Sequence, residues 1–138
     1  MPEPLTGSCL CGAIRFTVSA PLGELRACHC THCQKTSGAA GSVNAVVPSS
    51  AFKITHGTPR RYDARADSGR TLHRHFCGDC GSPIYSQRAT EHKDLVVVRA
   101  GLLDSKAGLR IGAHIWTRSA APWAHIDPAS KQFPGQPT

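Results

Sequence analysis

Seven cysteines fall into three groups and nowhere else in the chain: Cys9 and Cys11; Cys28, Cys30 and Cys33; Cys77 and Cys80. Sulfurs spaced one or two residues apart converge on a point, which is the chemistry of metal–thiolate binding. Structural zinc sites are closed by four protein ligands, whereas catalytic ones use three and keep a position open. Seven cysteines divide into four and three, so the counting predicts one closed and one open site. Cys77-Gly78-Asp79-Cys80, followed by Gly81, reads as a zinc knuckle, and its glycines permit the tight turn. A knuckle supplies half a tetrahedron, and Cys9 with Cys11 is the natural other half. Spacing leaves two rivals open. Members of the triplet could mix with the knuckle, or His29 or His32 could complete a closed Cys₃His site. In an extended Cys28-His29-Cys30 the histidine points away from its neighbours, and His32 would strain against Cys30 and Cys33.

An open triplet has a definite bias. Three thiolates around Zn²⁺ make the metal a poor generator of hydroxide and a good holder of a soft sulfur ligand. A substrate thiol bound there would lose its proton below the free value of about 8.5. The pattern therefore points to a thiol substrate. Zinc deaminases need His-x-Glu followed by Pro-Cys-x-x-Cys. Glu3, Glu24 and Glu91 all lack that context, and Phe76 precedes Cys77, so that class is excluded. Rubredoxin-like iron suits a four-cysteine site, but a three-cysteine companion argues for zinc.

The elements that must position these cysteines are mostly short strands. Ala13 to Val18 alternates apolar with polar and predicts a strand, and Leu25 to Cys28 predicts a second that delivers the triplet. Thr31 to Ser37 predicts a helical turn with Thr31 as N-cap, Gly38 as its stop, and amides directed at the sulfurs. Strands are expected over Ala39 to Val47, Phe52 to Ile54, Arg60 to Ala64 and Thr71 to Phe76. The last two are joined by a polar loop containing Asp67-Ser68-Gly69. Pro83 to Gln87 continues extended, Leu95 to Ala100 is a further strand, and Ile111 to Trp116 is the last. Thr6 to Cys9 reads as the approach to a turn. The expectation is a mainly β, zinc-stabilised single domain over 1–138 with little helix, its residues 121–138 forming an irregular tail packed on the body.

At 138 residues, 40% hydrophobic and 18% charged, the composition is that of a soluble globular chain with a real core. The longest apolar run, Leu95 to Val98, is too short for a membrane helix. Met1-Pro2-Glu3-Pro4 carries no signal-peptide pattern, so a cytoplasmic location with reduced thiols is expected. The formal charge of +7 suggests an acidic partner. Seven thiolates around two Zn²⁺ would lower it to roughly +4, and the basic residues are scattered. A field that draws a small anion fits better than a nucleic-acid surface.

Three segments carry a family resemblance: Gly7-Ser8-Cys9-Leu10-Cys11-Gly12, Cys28-His29-Cys30-Thr31-His32-Cys33 and Phe76-Cys77-Gly78-Asp79-Cys80-Gly81-Ser82. With Ala100-Gly101-Leu102-Leu103-Asp104, His114-Ile115-Trp116, Pro122-Trp123 and Gln132-Phe133-Pro134-Gly135, the chain resembles the glutathione-dependent formaldehyde-activating enzyme family, which shares its domain with centromere protein V. Leu102 stands where the family often has Thr, leaving Asp104 in register. The resemblance implies a β-tent fold with two zinc sites. Cys9, Cys11, Cys77 and Cys80 match the structural ligands, and Cys28, Cys30 and Cys33 match the catalytic ones, whose zinc is open to partial occupancy. It further implies a carbon–sulfur lyase-type activity that joins formaldehyde to glutathione, giving S-hydroxymethylglutathione. A non-catalytic two-zinc module that binds protein or nucleic acid through a basic surface is the alternative.

His114 and Trp116, two apart on the last strand, should share a face and could line a substrate pocket, or else pack the core and hydrogen-bond the backbone. Arg26 and Arg74 are candidates to meet a substrate carboxylate. Trp123 is expected to anchor the tail by packing, Asp79 and Asp104 to cap turns, and His73 and His75 to lie on a sheet surface.

Overall fold

A computed structural model describes residues 4–65 and 69–137, and within them the chain is mainly β. Asp67 and Ser68 of the expected polar loop lie outside the described residues. Three strands form a small antiparallel sheet in the order β1 (Leu5–Ser8), β2 (Arg15–Val18), β5 (Phe52–His56). The other eight form a large sheet: β11 (Lys131–Gln132), β10 (Ile111–Ile115), β3 (Leu25–Cys28), β4 (Ser42–Pro48), β9 (Leu95–Arg99), β8 (Pro83–Arg88), β7 (Thr71–Phe76) and β6 (Arg60–Arg65). Its pairings are antiparallel except β10 with β3 and with β11. The helix α1 (Thr31–Ser37) connects β3 to β4.

Period-two alternation decides which face of the large sheet is core. Ala45, Val47, Val96 and Val98 pack with Phe16 and Val18 of the small sheet, and Phe52 bridges the layers by touching both Phe16 and Tyr85. Full burial of a ring such as Phe16 contributes about 2–3 kcal/mol. The intervening residues Asn44, Val46, Val97 and Arg99 face the opposite way, into a cavity. Leu95–Arg99 reads as a nearly continuous apolar run because both of its faces are covered.

Three expectations need correction. Leu5–Ser8 is a strand rather than the approach to a turn: pairing with β2 overrides the weak β preference of a segment containing Gly7 and Ser8. Ile111–Ile115 is not the last strand, because Lys131–Gln132 adds in parallel beside His114, giving the tail a regular piece. Trp123 is not a packing anchor; it is 68% exposed.

Candidate metal centres and the arginine-lined cavity

The first cluster forms where two turns meet. Cys9 and Cys11 sit in the β1–β2 turn and Cys77 and Cys80 in the β7–β8 turn, their four sulfurs all within 4.8 Å of one another. Leu10 N donates to Ser82 Oγ at 3.1 Å and holds the turns together. Amides of Ile14 and Asp79 donate to the sulfurs of Cys9 and Cys77 at 3.3 and 3.4 Å. Asp79 thus takes part through its backbone. The Cys9–Cys11 and Cys11–Cys77 sulfurs are 3.6 and 3.7 Å apart. A tetrahedron with 2.3 Å zinc–sulfur bonds has an edge of about 3.8 Å, so the donor set fits Zn²⁺. Cys80 is pulled down to about 5, first by the Ser82 hydroxyl and then by the Ser82 amide.

Cys28, Cys30 and Cys33 form a separate three-sulfur cluster, so the arrangement that mixes triplet and knuckle does not occur. Strand β3 ends on Cys28, and α1 turns the chain so that Cys33 comes back to it. The cap of α1 is Cys30 rather than Thr31: its sulfur accepts from Cys33 N at 3.3 Å, and Gly38 closes the helix at φ 67°. Thr31 is already the first helical residue, so the sulfur of the residue before it takes the cap position. Gln34 Nε2 donates to both His29 O and Ser119 O at 2.8 Å, fastening the triplet to the segment after β10. Gly41 presses on the same backbone, where a Cβ would lie 2.1 Å from the Cys28 carbonyl oxygen.

A buried polar chain reaches the triplet from the sheet. Arg99 Nη1 donates to Asn44 Oδ1, and Asn44 Nδ2 donates to Ser42 Oγ at 3.0 Å. The sulfurs of Cys28 and Cys30, then the Ser42 hydroxyl and the Arg99 charge, hold Cys33 down to about 2. The same sharing with Cys30 and Cys33 pushes Cys28 well above the thiol range. Three thiolates at this spacing repel, so full ionisation of all three calls for a cation among them. This soft sulfur set also fits Zn²⁺.

The triplet opens onto a cavity of about 300 Å³. Arg26, Arg70, Arg74, Arg88 and Arg99 line it, and among the described residues no Asp or Glu does. They come from β3, the residue before β7, β7 itself, β8 and β9, brought together by register: Arg26 opposes Asn44, Asn44 opposes Arg99, and Arg74 opposes Ser86. Arg70 pairs with Glu91 at 3.3 Å. Burial and then the Arg70 charge pull Arg88 below its usual value. Arg74 and Arg99 also border a second cavity of about 260 Å³ lined by Tyr62, His75, Phe76 and Tyr85.

Of the expected pocket residues, Arg26, Arg74 and Trp116 line the cavity and His114 does not. The shared face fails because β10 ends at Ile115 and Trp116 turns to φ 57°, breaking the alternation. His114 instead stacks on His29, its Nδ1 2.8 Å from His29 Nε2. Burial and the nearby His114 hold His29 below its ordinary value. Trp116 is fixed by Gln136 Oε1 at 3.1 Å and by Arg118 over its ring. His73 Nδ1 donates to Asp63 Oδ1 at 2.6 Å, His75 stacks on Tyr85, and Asp104 accepts from Thr6 Oγ1 rather than capping a turn.

A family model, the glutathione-dependent formaldehyde-activating enzyme, matches residues 4–119. The chain belongs to this family. Two curated relatives carrying the glutathione-dependent formaldehyde-activating name are similar to it. One from Phaeosphaeria nodorum is 32% identical over 71% of this chain and 52% of its own length. One from Halomonas elongata is 36% identical over 59% and 54%. The chain thus spans about half the length of the curated relatives it matches. A crystal structure of a Rhodobacter sphaeroides protein shares the fold, with a TM-score of 0.59 and 18% identity over 93% of this chain and 98% of that one. Among the described residues, no helix is long and apolar enough to cross a membrane.

Proposed function

We propose that the chain is a carbon–sulfur lyase-type enzyme acting at Cys28, Cys30 and Cys33 on the adduct of a small thiol, such as glutathione, and an aldehyde, such as formaldehyde. The observation that carries this reading is three cysteine sulfurs within 4.8 Å, with no fourth His, Cys, Asp or Glu among the described residues in their cluster, at the wall of a cavity of about 300 Å³. Zn²⁺ is the proposed cofactor, held at one site by Cys9, Cys11, Cys77 and Cys80 and at the other by the triplet. Bound at the triplet, it supplies acidification of a substrate thiol while leaving the sulfur nucleophilic.

The chain's own residues do the rest. Val97, Leu95, Ile115 and Trp116 give the cavity apolar walls that displace water from the reacting sulfur. Arginines supply positive potential that favours the thiolate and draws anionic substrate inward. In the addition, the sulfur forms a bond to the aldehyde carbon, the carbonyl π pair moves to oxygen, and the proton lost by the thiol ends on that oxygen. Cleavage of the adduct reverses each of these changes. Arg26, Trp116 and Arg74 are the proposed substrate contacts; His114 does not line the cavity and pairs with His29 instead.

Metal analysis combined with glutathione titration tests the proposal. Two zinc ions per chain, one of them perturbed by glutathione, is the expected result. Two inert zinc ions together with salt-sensitive DNA binding would overturn it in favour of a non-catalytic module.

A further inference from the structure

Arg74 is 9% exposed, lies in the middle of β7 and faces the cavity that the triplet opens onto. Its Nε is buried and has no hydrogen-bond partner, and none of the ion pairs among the described residues involves it. Arg99, 8% exposed, stands on the same face and is satisfied by the neutral Asn44 rather than by a carboxylate. Burying a guanidinium without a counter-charge costs several kcal/mol. A fold keeps such a group when something that is not part of the chain completes it. Arg26 and Arg88 line the same space, and among the described residues no acidic side chain does. Even with a thiolate triplet facing them, the arginines outweigh the negative charge. A guanidinium's planar fork matches a carboxylate, which can accept two parallel hydrogen bonds from it.

We propose that this cavity selects its thiol by negative charge: Arg74, supported by Arg99, receives a carboxylate of a mercaptocarboxylate substrate while the substrate's sulfur sits at the triplet. The proposal rests on the thiol reading of that site for the sulfur, but not for the carboxylate. The substrate class is small thiols carrying one or more carboxylates, of which a peptide thiol is one kind. Recognition is through charge rather than peptide shape. Neutral and cationic thiols of similar size are rejected because they leave the Arg74 guanidinium buried and unpaired.

The test is equilibrium binding of 2-mercaptoethanol, 3-mercaptopropionate, mercaptosuccinate and thiol-free succinate to the zinc-loaded protein, its Arg74→Met and Arg74→Lys variants, and Cys30→Ser. Affinity is expected to rise with each added carboxylate, mercaptosuccinate binding at least about tenfold tighter than 2-mercaptoethanol, one charged hydrogen bond being worth tenfold or more. Arg74→Met should erase most of that preference, and Arg74→Lys should keep an intermediate part of it. Because Arg74→Met removes an unpaired buried charge, the ligand-free variant should melt no lower than the parent; a structural arginine would give the opposite shift. Equal binding of all three thiols overturns the proposal, as does unchanged charge preference in Arg74→Met. Binding of 2-mercaptoethanol with none of succinate sinks the anion site while sparing the thiol reading. Succinate binding that survives Cys30→Ser, with mercaptosuccinate then no tighter than succinate, supports both. Mercaptosuccinate binding unaffected by Cys30→Ser supports the anion site and removes the thiol reading.

Discussion

Cys77→Ser and Cys30→Ser each remove one sulfur from one cluster, yet the fold makes their consequences unequal. Cys11 and Cys77 are 66 positions apart, so metal held between them closes a long loop. In chain-entropy terms that closure contributes about 4 kcal/mol. Cys30 and Cys33 are three positions apart, and with Cys28 they close a loop worth about 2 kcal/mol. Cys77 is also 1% exposed and inside the main core, where an unsatisfied serine hydroxyl costs a further 1–3 kcal/mol or so. For a chain of this length 1 kcal/mol moves the melting temperature by about 3–4 °C. Cys77→Ser should therefore lower melting by about 15 °C or more, against about 8 °C or less for Cys30→Ser. Circular-dichroism melts run beside metal analysis make the measurement: each variant should lose about one zinc, and only Cys77→Ser should approach unfolding. Equal falls in melting temperature would refute the reasoning, because both sites would then hold the fold to the same degree.

Other outcomes follow from particular contacts. Gly41→Ala drives a methyl into the Cys28 carbonyl and should cost about 1–3 kcal/mol while releasing only the triplet's metal, as seen by metal analysis against melting. Ser42→Ala cuts the polar chain from Arg99 to Cys33 and should weaken the triplet's metal about tenfold in chelator competition, with melting nearly unchanged. Burial holds His75 below its ordinary value, as it does His29. The unfolded chain then binds more protons, so stability is full above about pH 6.5 and falls as pH drops from there toward the folded values. His75→Gln should flatten that slope in melts taken between pH 5 and pH 7; a parent whose stability rises on acidification would reverse the sign.

The two ligand sets were legible because metal binding to closely spaced cysteines is a local property of sequence. Cys28, Cys30 and Cys33 can reach one point from β3 and one turn of α1, whatever the rest of the chain does. The pairing of the first turn with the knuckle needed only four-fold coordination and was the simplest partition of seven sulfurs. Strand positions followed from alternation and turn residues, and they failed where a partner strand overrode weak local preference, as at Leu5–Ser8 and Lys131–Gln132. Trp116 escaped the alternation because its backbone leaves the strand at positive φ.

The arginine-lined wall is different in kind. Arg26, Arg74 and Arg99 lie far apart in sequence, on three strands; the first two could be named as candidates, but nothing in their spacing put them together, and nothing marked Arg99. Whether they meet depends on the order β3-β4-β9-β8-β7 and on a register in which a slip of one residue would send each side chain into the opposite layer. The sequence by itself therefore determined which atoms can hold metal. Only the tertiary structure decided which charges look at that metal, because neighbourhood across a sheet is a property of strand pairing and not of spacing along the chain.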